Sequence, residues 1–235
     1  MPNWFDFAGV RSTSLGVCVV EYPALTRAAE RSTFQTLPGR SGSLTMLEGA
    51  NVYDDIVLSI QCYIRDGYSV DAACAWLRGS GVLVLGNTPD RSYKARVTNQ
   101  LDMAVIIRNT GYRSFNAVFR CAPYRYIYPA PAAQTFTASP GSINNPGTAD
   151  AVPQIAVVGS GDIDLTIGGR TIHIDGLASS ITIDCETGMA YNGSTDLTSK
   201  VTLDYYPWVI PPGISAVSWT GTVTSVTVSR PWRYI

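Results

Sequence analysis

Histidine is nearly missing from this chain: His173 is the sole one among 235 residues. Histidine is the usual general base beside a serine or cysteine nucleophile and the commonest zinc ligand. A catalytic triad or a His-rich metal site would therefore have to pass through that one side chain. It sits in the alternating run Thr171-Ile172-His173-Ile174 and reads as a polar-face residue of a strand. Charge is scarce as well, at 15% of residues against roughly 25% in an average soluble domain. Seventeen basic and 18 acidic groups leave a net charge of −1, too little field to hold a polyphosphate chain. The apolar content of 46% excludes intrinsic disorder.

Long apolar runs are absent too. None approaches the ~18 residues that a membrane-spanning helix requires, so no membrane partner is expected. Met1 to Val10 shows no basic segment followed by an apolar stretch, and the chain is expected to stay in the compartment where it is made. The five cysteines, Cys18, Cys62, Cys74, Cys121 and Cys185, are odd in number and widely spaced. That fits neither a disulfide framework nor paired zinc ligands, so reduced, mostly buried thiols are expected, with no cofactor or metal site.

What remains is mostly β. Between Asp55 and Ile64, the residues Ile56, Leu58, Ile60, Cys62 and Ile64 occupy every second position and so one face of a strand. Ser69 can cap a short helix through Asp71 to Leu77, with an acid in its first turn and Gly79 as the stop. Further strand-like runs follow at Val82 to Leu85, Tyr93 to Val97, Val105 to Arg108 and Phe115 to Cys121. From Pro123 to Pro146 prolines recur, and proline cannot donate to a sheet ladder, so a domain boundary is placed near Pro129. Residues 1–130 carry 13 basic and 10 acidic groups (+3), whereas 131–235 carry 4 and 8 (−4).

After the boundary, short β-prone runs recur at Ile155 to Val158, Ile163 to Ile167, Thr171 to Ile174, Ile181 to Ile183, Val201 to Leu203, Ala216 to Trp219 and Val223 to Val228. That spacing predicts an antiparallel sandwich. Gly168-Gly169 suits a two-residue hairpin turn, and Asn192-Gly193 is a second candidate. The sequon Asn192-Gly193-Ser194 is read as that turn rather than as a glycosylation site. Ile155 to Gly161 imitates the strand and glycine turn of a dinucleotide fold. Asp164 occupies the place of the third glycine and a strand rather than a helix follows, so Gly159-Ser160-Gly161 is read as a hairpin turn.

Candidate chemistry is thin. Asp162 and Asp164 share a strand face and read as a solvated hairpin edge, with a glycoside hydrolase as the rival. Tyr205, Tyr206, Trp208, Trp219 and Trp232 would fill a core or form a sugar-stacking platform. Arginine outnumbers lysine 15 to 2, a bias suited to forked contacts at protein interfaces.

Several phrases in order along the chain carry a resemblance. They include Phe5-Asp6-Phe7-Ala8-Gly9, Pro38 to Leu44, Tyr53-Asp54-Asp55, Trp76-Leu77, Asp90-Arg91-Ser92-Tyr93 and Phe115 to Tyr124. In the second half come Asn145 to Thr148, Pro153-Gln154-Ile155, Gly159-Ser160-Gly161, Ile183-Asp184, Pro211 to Ile214 and Arg230 to Tyr234. Together these are similar to the distal tail proteins of long-tailed, non-contractile bacteriophages.

The resemblance implies a β-rich N-terminal domain with one helix over residues 1–129, joined as a homohexameric ring, and a galectin-like antiparallel β-sandwich over 130–235. It implies a structural hub of the virion tail, without catalysis, assembled in the host bacterial cytoplasm. Its implied partners are the tail tube protein, the tape measure protein and the tail-tip hub protein, with DNA only in transit through the lumen. At 235 residues no inserted carbohydrate-binding module is expected, and a sugar-binding module contacting the host surface is the alternative. A closed ring needs a head-to-tail interface. Pro38, Gly39, Arg40 and Gly42, with Asp90, Arg91 and Tyr93, are its expected contributors. A lumen that passes DNA without holding it is expected to be neutral or acidic, with the N-terminal arginines paired at subunit interfaces.

Overall fold

A computed structural model describes residues 2–49, 51–108, 110–203 and 207–235. The chain divides into two compact units: Met1–Tyr128 together with Ile235, and Pro129–Tyr234. Both are mostly β.

The first unit contains β1 (Phe5–Phe7), β2 (Val10–Arg11), β3 (Val17–Glu21), β4 (Ser32–Thr36), β5 (Ser43–Leu47), β6 (Ile56–Ile64), α1 (Val70–Trp76), β7 (Ser80–Leu85), β8 (Thr88–Val97), β9 (Ala104–Val105) and β10 (Arg113–Ile127). An antiparallel sheet runs in the order β2-β1-β7-β8-β10-β6-β3, with β9 added to β10. β6 is an alternating strand, its even positions from Ile56 to Ile64 buried and its odd ones turned out. β10 lies against it in register, Phe119 opposite Leu58 and Ala117 opposite Ile60, so their apolar faces form one wall of the core.

α1 covers that wall. The Ser69 hydroxyl accepts the Ala72 amide at 3.2 Å, satisfying one of the amides that a helix start leaves open. Trp76 anchors the other end: its ring stacks on Phe5 at 5.2 Å and its indole N–H donates to the Phe7 carbonyl at 3.0 Å. Phe119 meets Phe5 and Phe7 edge-on at 5.9 and 5.1 Å, the geometry that aromatic quadrupoles favour. β4 and β5 stand apart from this sheet and, among the described residues, pair only with each other.

The second unit contains β11 (Gln134–Phe136), β12 (Gly141–Asn145), β13 (Gln154–Ile167), β14 (Arg170–Leu177), β15 (Ser180–Asp184), β16 (Met189–Asn192), β17 (Thr195–Asp196), β18 (Val201–Leu203) and β19 (Gly213–Val228). Two long strands organise it. β13 pairs with β15 along its first part and with β14 along its second, while β19 pairs with β11 at one end and β12 at the other. β13 and β19 run side by side, and their register shifts between Val158 and Gly159 and again between Ser160 and Asp164. Such bulges let a strand turn a corner and pass from one layer to another.

This corrects one sequence expectation. Gly159-Ser160-Gly161 is not a hairpin turn but the bulged middle of a continuous strand, because the β19 backbone follows β13 around the bend and keeps it paired. The expected strands Ala216 to Trp219 and Val223 to Val228 likewise merge into β19, with Gly221 at the corner. The tight turn lies at Gly168-Gly169, both with positive φ (60° and 79°), joining β13 to β14. Gly193, at φ 58°, begins the turn after β16, and Asn192 pairs with Thr195 as the last strand residue.

Candidate subunit interface

The hairpin of β4 and β5 places four expected interface residues. Thr36 pairs with Ser43, so the intervening Leu37 to Gly42 form its tip, with the Arg40 amide bonded to the Leu37 carbonyl at 3.3 Å. Pro38, Gly39, Arg40 and Gly42 are all exposed there. The root is braced by Arg31, whose guanidinium lies 2.9 Å from Asp54 and 3.8 Å from Glu48. The hydrogen-bonded Asp54 carboxylate raises the Arg31 pKa.

Asp90, Arg91 and Tyr93 lie in the other sheet, on β8. Arg91 is paired with its neighbour Asp90 at 2.6 Å, and Asp90 is largely exposed. Tyr93 is 3% exposed and belongs to the core of its own unit, where burial raises its phenol pKa. Its side chain therefore holds β8 in place rather than facing a second copy. The two groups of expected residues are not joined in one sheet.

Two further aspartate–arginine pairs lie within the first unit, Arg11–Asp6 at 2.9 Å and Arg120–Asp55 at 2.7 Å, beside those of Arg31 and Arg91. These arginines are paired inside their own chain. Sequence reasoning missed Val105, Ile106 and Ile107, three consecutive apolar residues left half-exposed at β9 and the turn after it. The expected strand of Val105 to Arg108 is reduced there to Ala104–Val105.

The second unit receives the other candidates. Asp164 sits between two strands, its carboxylate 2.6 Å from His173 Nδ1 on β14 and 3.4 Å from the Thr220 hydroxyl on β19. Asp162 accepts the Gly176 amide at 2.8 Å. The two carboxylates are thus engaged separately across an interior strand, not at a hairpin edge, because β13 is paired on both sides. Trp208 is fully buried and Trp232 nearly so, so both serve as core. Tyr205 and Tyr206 lie outside the described residues. The described cysteines are free thiols, buried except for Cys74. Burial pushes the thiols of Cys62, Cys121 and Cys185 up to about 12, far from the range of a reactive thiolate. Among the described residues no helix is long and apolar enough to cross a membrane, and no group of three or more His, Cys, Asp or Glu side chains is placed to hold a metal.

No protein-family model matches the chain, and no curated protein matches it. Among solved structures it is similar to the crystal structure of SPP1 Dit, described as a paradigm of the hub adsorption apparatus in phages infecting Gram-positive bacteria. The TM-score is 0.77 at 14% identity, over 100% of both chains. At that identity the likeness is one of fold, and it extends over both units: this chain has the fold of that hub protein.

Proposed function

We propose that the protein is a structural hub of a phage tail. In this reading the first unit forms a hexameric ring at the distal end of a non-contractile tail, and the second is a galectin-like sandwich that presents attachment surface. The ring joins the tail tube and the tape measure protein to the tail-tip hub protein and lets DNA pass. The virion tail is its place of work, reached after assembly in the host cytoplasm.

The observation that carries this reading is the full-length likeness to a hub protein, both units included. Arm-tip residues Pro38, Gly39, Arg40 and Gly42, with Asp90 and Arg91 on β8, serve as subunit contacts, and Tyr93 supports them from within. Aspartate–arginine pairing occupies Arg11, Arg31, Arg91 and Arg120 of the first unit, which keeps those four charges from phosphate. The burial of Trp208 and Trp232 removes two rings from any sugar platform.

Light scattering gives the test, followed by negative-stain imaging. A particle of six copies with a central hole is expected. A monomer at every concentration, or sugar release that Asp162→Ala abolishes, would overturn the proposal.

A further inference from the structure

The ribbon of β4 and β5 does not fit the chemistry of a solvated loop. Residues directly opposite in an antiparallel pair share a face. One face thus carries Phe34, Thr45, Ser32 and Leu47, and the other carries Met46, Thr33, Leu44 and Gln35. Large apolar side chains stand on both, with Phe34 66%, Met46 52% and Leu47 59% exposed. Between Ser32 and Leu47 the sole charge is Arg40, at the tip. Leu37 and Leu44 add to this surface at 37% and 39% exposed, so the apolar side chains are clustered rather than scattered singly. A two-stranded ribbon is also marginal alone in water. Among the described residues no strand pairs with its outer edges, so their amides and carbonyls are open to a further strand.

The same unit shows a second uncovered apolar element. Among the described residues β9 is bonded to β10 on one side and to no strand on the other, and Val105 continues into the half-exposed Ile106 and Ile107. A head-to-tail ring requires two different, mutually complementary patches on each copy. Charge matches them as well. Glu30 and Glu48 flank the root of the ribbon, and Arg108 follows Ile107. Neither Glu30 nor Arg108 forms an ion pair within the described residues.

Resting on the ring reading above, we infer that the β4–β5 ribbon is an assembly arm. It adds as a strand to the free edge of β9 in the next copy of this chain, laying its apolar side chains against Val105, Ile106 and Ile107. Backbone bonds along the added strand supply affinity, and the Glu–Arg match sets direction.

Two measurements test this on the full chain. In a Cys74→Ser background, a Met46→Cys copy is mixed with an Ile106→Cys copy and mildly oxidised. A disulfide-linked pair is expected in the mixture and in neither copy alone. Separately, Met46→Asp with Leu47→Asp should lower the assembled fraction at least about tenfold, since a charge is driven into an apolar contact. These side chains are exposed in the single copy, so its melting temperature should not move. Glu30→Arg should weaken assembly, and adding Arg108→Glu should restore it.

If the native chain forms rings while the arm variants assemble normally and no mixed disulfide appears, the arm is refuted and the hub reading stands. If the native chain never assembles, both fall.

Discussion

Three glycines at the corner of the second unit should separate two kinds of backbone constraint. A Cβ on Gly159 would overlap the Thr222 carbonyl oxygen, yet this glycine's φ is ordinary. Gly161 is the reverse case, with a φ of +79° and open space around the missing Cβ. Gly221 combines both, with a φ of +88° and the Asp162 carbonyl oxygen where the Cβ would stand. An L-residue at positive φ costs about 1–2 kcal/mol, and forcing one carbon into a packed contact costs about 1–3 kcal/mol. Gly161→Ala should therefore cost about 1 kcal/mol, Gly159→Ala about 2, and Gly221→Ala about 3–4. Hydrogen exchange resolved by peptide is the assay. Amides of β13 and β19 should lose protection in that rank order, while those of β6, in the other unit, serve as the internal reference. Gly221→Ala costing no more than Gly161→Ala would refute the corner, because it would mean that the two strands do not approach there.

The thiols give a pH prediction. Cys62, Cys121 and Cys185 are neutral when protonated, and burial raises them to about 12. An unfolded thiol titrates near 8.5, so stability should be whole below that pH and fall above it, by up to roughly 1.4 kcal/mol per thiol and pH unit between about pH 9 and 10, before tyrosines begin to titrate. The first unit holds two of these groups and the second holds one, so β6 amides should lose protection about twice as steeply as β15 amides. Trp76→Ala should destabilise the first unit by about 3 kcal/mol through lost packing, and Trp76→Phe by about 1 through the lost bond to Phe7, both read by urea unfolding. His173→Ala should cost under ~1 kcal/mol, because its contact with Asp164 is half-exposed; a larger loss would mean that the contact is shielded from water.

What the sequence revealed follows from how many faces each segment buries. β6 buries one face and exposes the other, so its period of two gives its span residue by residue. α1 is legible through its cap, since Ser69 has one favourable use before Val70. β3 is harder to see, because Val17, Cys18 and Val19 are buried in succession and the alternation vanishes. In β13 and β19 glycine misleads: it usually marks a turn, but Gly159, Gly161 and Gly221 serve a corner whose continuity depends on a strand some 60 residues away in sequence. Close approach of that kind is a tertiary fact, and a local pattern cannot carry it. Of the expected interface residues, Pro38, Gly39, Arg40 and Gly42 were legible as an exposed turn from turn chemistry. Tyr93 was not, because an aromatic beside Asp90 and Arg91 reads the same whether it faces a partner or its own core.

β4 and β5 escaped the sequence reading for a different reason, and it bears on function. A strand in a monomer displays its surroundings: apolar residues face the core and polar residues face water. Here Phe34 and Leu47 stand on one face and Leu44 and Met46 on the other, as in a strand pair covered on both sides, yet none of them is buried. The pattern matches a covered ribbon, while the single copy offers no cover. Exposed apolar area has a free-energy cost in water whichever face it occupies, and natural sheets usually protect a free edge with charge, proline or a bulge. This ribbon has one arginine and one proline, both confined to its tip, and nothing along either edge. A sequence that treats a segment as interior and a fold that leaves it outside are reconciled when the interior is completed by another molecule. In the ring proposed above, the next copy of this chain is the molecule that would complete it.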